Sequence, residues 1–91
     1  MEINKIIEIT IKEFNNSQSE YEINNKVDFL LIGNESSLDS LANVNFLTKL
    51  EKNIFKHKKK EIDLINKIFL IKKDNIYLKD LTNFLKDNLK F

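Results

Sequence analysis

Residues 38–51 read LDSLANVNFLTKLE, and the fold turns on how this stretch is read. Leu41, Val44, Leu47 and Leu50 recur at steps of three, and Ile54 follows at a step of four. That spacing lines one side of an α-helix with apolar groups. It predicts a helix over 40–55. Asp39 and Ser40 stand where it begins, and both residue types suit an N-cap, whose side-chain oxygen accepts a first-turn N–H. Phe46 falls off the stripe and is expected to be partly exposed. For Leu41 and Val44 the spacing leaves two places open, in the core or facing a partner.

Outward from this helix the same period recurs. Ile3, Ile6, Ile7, Ile11 and Phe14 predict a first helix over 2–15. NNSQSEYEINN is polar and rich in Asn and Ser, and reads as a loop. VDFLLIGN is short and apolar, ended by Gly33-Asn34, and reads as a loop over the core or a helical turn. After Phe55, KHKKKE breaks the pattern. IDLINKIFLI suits a short third helix, although its β-branched content leaves a strand open. KKDN reads as a turn. Leu78, Leu81, Phe84, Leu85 and Leu89 predict a last helix over 78–89. The expectation is an all-α chain: a small four-helix bundle with a long first loop and a short third helix.

Composition agrees. The 91 residues fit a single domain, 1–91, able to bury roughly 60–70% of its unfolded surface. Hydrophobic residues make up 42%, too many for a disordered chain. There is no proline and one glycine, so turn-rich architectures are disfavoured. There is no cysteine, which excludes disulfides, thiolate metal sites and a cysteine nucleophile. The net charge is +1 and gives no global argument for nucleic acid. No apolar run reaches the roughly 20 residues needed to span a bilayer. Charges at Glu2, Lys5, Glu8, Lys12 and Glu13 interrupt the N-terminal stretch, which does not read as a signal peptide. A cytoplasmic protein with no membrane insertion is expected.

Ser40 has two readings. It helps start a helix, or its hydroxyl carries a phosphate ester, since helix N-terminal N–H groups and the helix dipole favour an anion by about 0.3–1 kcal/mol. Turnover chemistry is disfavoured. His57 is the only histidine and lies beyond the predicted helix, and no Gly-x-Ser-x-Gly elbow is present.

The stretch LDSLANVNFLTKLE resembles the prosthetic-group site of acyl carrier and peptidyl carrier proteins. There an Asp-Ser-Leu opens the second helix, an apolar stripe follows, and a Glu stands near the place of Glu51. LIGNESSLDSL is most similar to the approach in discrete, stand-alone carriers. The order of helices down to YLKDLTNFLKDNL is also similar, so the resemblance covers most of the chain. It implies a fold of acyl-carrier-protein type and no enzymatic activity of its own. It implies 4′-phosphopantetheine, transferred from coenzyme A to Ser40 by a phosphopantetheinyl transferase, with Asp39 presenting the serine. It implies an acyl or aminoacyl cargo held as a thioester, a loading ligase, a downstream transferase, and a monomer docking through Leu41, Val44 and Phe46. Two features depart. Ser37 stands where fatty-acid carriers usually have glycine, and the second helix carries Asn43, Asn45, Thr48, Lys49 and Lys52 with Glu51 its lone acid. Steering toward a basic partner is weak, which favours a dedicated pathway.

The alternative is a small helical protein-interaction module in which Asp39-Ser40 is only an N-cap. The run Lys56–Lys60 reads as a solvated connector, with a nucleic-acid contact the less favoured reading because no aromatic interleaves it. Glu20 with Glu22, and Glu61 with Asp63, read as solvated pairs. His57 has no cysteine or second histidine to complete a metal site.

Overall fold

The computed structural model describes residues 2–17, 20–68, 71 and 74–89. Among them the chain is mostly helical, with a small two-stranded sheet. In order come α1 (Ile3–Ser17), β1 (Leu30–Ile32), α2 (Ser40–Lys58), α3 (Leu64–Lys67), β2 (Ile76–Tyr77) and α4 (Leu78–Asn88). Of the expected third helix, Phe69 and Leu70 lie outside the described residues, as do Lys72 and Lys73 of the expected turn.

In α1 the five expected positions Ile3, Ile6, Ile7, Ile11 and Phe14 are all buried. They pack chiefly on α2, with α4 also against α1 and α3 against α2. Phe14 meets Phe46 edge-on, with ring centroids 5.8 Å apart and planes at 86°, a favoured geometry for aromatic pairs.

That contact corrects the placement of Phe46, which is 1% exposed and belongs to the core. The buried face of α2 runs through Ala42, Phe46, Leu47, Leu50, Asn53 and Ile54. Leu41 and Val44 lie on the opposite side. The physical reason is Asn53. It looks like a surface residue and hides the continuity of the face from Phe46 to Ile54. In the fold it is buried because its amide Nδ2 donates to Thr10 Oγ1 at 2.9 Å and to Glu13 Oε1 at 2.7 Å. Thr10, also buried, donates onward to the Ile6 carbonyl at 2.8 Å. A buried polar group with partners costs little.

VDFLLIGN is also corrected. Its residues 30–32 form β1, antiparallel to β2, with Leu30 opposite Tyr77 and Ile32 opposite Ile76. The partner lies far along the chain, so local pattern alone could not reveal the pairing. Gly33 ends β1 at φ +151°, where a Cβ would collide with the Asn75 amide. Glycine alone suits that position.

The helix ends also differ from expectation. α2 continues through Lys56, His57 and Lys58, and Lys59, in the left-handed region at φ 55°, returns its N–H to the Phe55 carbonyl at 2.9 Å. Cations in a last turn suit the negative end of the helix dipole. α3 starts at Leu64, whose N–H donates to Glu51 Oε2 at 2.6 Å. Asp63 supplies its cap through the Asn66 N–H.

Candidate functional site

The segment leading to Ser40 is held in place by Ser36. Its hydroxyl is shared between the carbonyls of Leu31 (2.8 Å) and Leu30 (3.1 Å), and it accepts the Leu38 N–H at 3.1 Å. Leu38 is buried. The chain is thus fixed to the end of β1 just before α2 begins.

Asp39 is the N-cap. Its Oδ1 accepts the Ala42 N–H at 2.8 Å, and its backbone is extended as a cap requires. Its other oxygen, Oδ2, accepts the Tyr21 hydroxyl at 2.8 Å. No local signal points to a partner 18 positions away. The Ala42 N–H, and then the Tyr21 hydroxyl, hold the Asp39 carboxyl below its ordinary range. The same bond to Asp39 pushes the Tyr21 phenol up.

Ser40 follows as the first residue of α2, and it is exposed. The cap is supplied by Asp39, so the Ser40 hydroxyl is not committed to starting the helix. Part of the first-turn N–H set is already satisfied by Asp39. His57 lies near the far end of α2, about 25 Å along the axis at 1.5 Å per residue. It is in no position to activate Ser40.

Of the three expected contact residues, Leu41 is 68% exposed and Val44 40% exposed. Phe46 is on the other side of the helix and is not available to a partner. The site that the fold brings together is therefore Tyr21, Asp39, Ser40, Leu41 and Val44. Glu51 does not join it, because its carboxylate is turned to the start of α3.

Of the expected solvated pairs, Glu20 and Glu22 are exposed on either side of Tyr21, and Glu61 and Asp63 are exposed ahead of α3. Asp63 is committed to its cap. Among the described residues no group of three or more His, Cys, Asp or Glu side chains is arranged to hold a metal. Among the described residues no helix is long and apolar enough to cross a membrane. No family model, curated protein or solved structure matches the chain.

Proposed function

We propose that the chain is a carrier protein whose Ser40 bears a 4′-phosphopantetheine arm. One observation carries the reading. The Ser40 hydroxyl is exposed at the first turn of a 19-residue helix, while its neighbour Asp39 takes the capping role. Such a hydroxyl can be esterified without loosening the helix start. The residues fit the group in a second respect: the surface beside Ser40 is apolar at Leu41 and Val44, where an enzyme that handles the arm can rest. When bound, the arm would supply a thiol that holds an acyl or aminoacyl group as a thioester.

On this reading the four helices form a small bundle of the acyl-carrier type. The chain's own residues hold and present the arm and catalyse nothing. Asp39 and Tyr21 fix the position of Ser40 for a phosphopantetheinyl transferase, and a loading ligase and a downstream transferase share the Leu41–Val44 side. The protein works as a cytoplasmic monomer in a dedicated pathway.

A second reading is favoured by the cap itself: a helical interaction module in which Asp39-Ser40 only begins α2. Intact mass after incubation with coenzyme A and a broad-specificity phosphopantetheinyl transferase separates the two. The carrier reading expects wild type to gain one phosphopantetheine and Ser40→Ala to gain none, with the melting temperature of the variant unchanged. No gain on wild type, beside a control carrier that is modified, would leave the interaction module.

A further inference from the structure

We infer that the cargo on Ser40 stays outside the bundle, kept out by the packing of Phe46 and its neighbours, and is therefore an aminoacyl or short acyl group and not a long fatty chain. The inference rests on the carrier reading and narrows it. A long alkyl chain on an arm in water gains by finding an apolar lining, and the gain grows with each methylene. The protein's own side chains already occupy the apolar space nearest to Ser40. Phe46, less than two turns along α2, is buried edge-on against Phe14. Beyond it Leu50 and Ile54 of α2, Leu64 of α3, and Leu81 and Leu85 of α4 are each 0% exposed. An interior packed in this way admits a guest only by displacing what fills it.

The routes by which it could open are braced. Parting α1 from α2 would break both Asn53 bonds, to Thr10 and to Glu13, and leave a buried amide without partners. Parting α2 from α3 would break the bond between Glu51 and the Leu64 N–H. Two hollows beside α2 are polar instead. One, of about 540 Å³, is lined wholly by polar residues, among them Glu13, Lys49 and Lys52. The other, of about 620 Å³, sets Phe55 and Ile62 among Glu51, Lys52, Glu61 and Asp63. Leu41 and Val44 near Ser40 are exposed, and make a patch suited to a short chain. Such surroundings favour a cargo whose ammonium or carbonyl keeps its water.

The test loads the wild-type chain, labelled at its Ile, Leu and Val methyls, by means of the transferase and a series of coenzyme A thioesters: alanyl, acetyl, octanoyl and dodecanoyl. Intact mass counts the loading, while methyl NMR and the melting temperature locate the cargo. The expected result is one arm gained from every donor, shifts confined to the start of α2, and the same melting temperature across the series. Phe46→Ala empties the place beside Phe14, and its octanoyl form should melt above its acetyl form; equal melting would overturn the part given to Phe46. If that variant does not fold, the wild-type series decides alone. Shifts at Leu50, Ile54 or Leu81, or a melting temperature that climbs with chain length, would overturn the inference and leave the carrier reading standing. No mass gain from any donor, with a control carrier modified in parallel, would sink both.

Discussion

Asn53 is the residue whose loss should be felt most for its size. Its amide joins α1 to α2 through Thr10 and Glu13. Asn53→Ala removes both bonds and leaves a buried space, and should cost roughly 1–3 kcal/mol in urea unfolding. Asp39 and Tyr21 make a different kind of prediction, because each titrates. A carboxyl lowered in the fold stabilises it above the ordinary carboxylate range, and that contribution fades as the pH falls through the folded value. A phenol raised in the fold acts in the opposite sense: its contribution is present below the ordinary tyrosine range and fades as the pH rises through the folded value. Asp39→Asn keeps a good cap and should flatten the acid limb of stability against pH. Tyr21→Phe should flatten the alkaline limb. Unfolding midpoints measured across both limbs check the pair; an unchanged acid limb in Asp39→Asn would refute the assigned role. Asp39 as a capping residue could be read from sequence, since the signal is local. Asn53 and Tyr21 could not, because their meaning lies in partners 40 or more and 18 positions away.

At the scale of elements, the register of α2 is decided by which side Phe46 takes. Phe46→Ala should cost about 3–5 kcal/mol, whereas Val44→Ala should stay within about 0.5 kcal/mol. Thermal and urea unfolding of the two variants side by side would expose an error in register at once. The helices themselves were legible because their apolar periods are strong. The facing of α2 was not, since steps of three and four admit two stripes and the true one contains a polar residue. The β1–β2 ladder was hidden for another reason: each strand is too short to show a pattern alone. Gly33 holds its turn-side end. Gly33→Ala should destabilise by more than about 1 kcal/mol, and Asn75→Gly in the same chain should recover only the part due to collision, since the positive φ remains.

At the scale of the whole molecule, the first connection ties the long helices together. Asn15 of α1 pairs with the Ile23 backbone in both directions, at 2.8 and 3.0 Å. Tyr21 reaches Asp39 at the head of α2. The Val27 and Phe29 carbonyls accept the Lys79 and Leu78 N–H groups, at 3.0 and 2.8 Å, where α4 begins. Those are donors that a helix start would otherwise leave unmet. The radius of gyration, 12.1 Å, matches the roughly 12 Å of a folded chain this long. The sequence showed this connection as a polar stretch followed by a short apolar one. Composition reports polarity, and says nothing about which backbone groups a loop will serve.

That wiring changes where the chain can tolerate new length. An engineer who wanted to graft an epitope or reporter would choose the first connection, because long polar loops usually accept insertions at small entropic cost. Here each added residue would shift Tyr21, Val27 or Phe29 away from a helix that depends on it, so the segment that looks most permissive is a poor place to cut and splice.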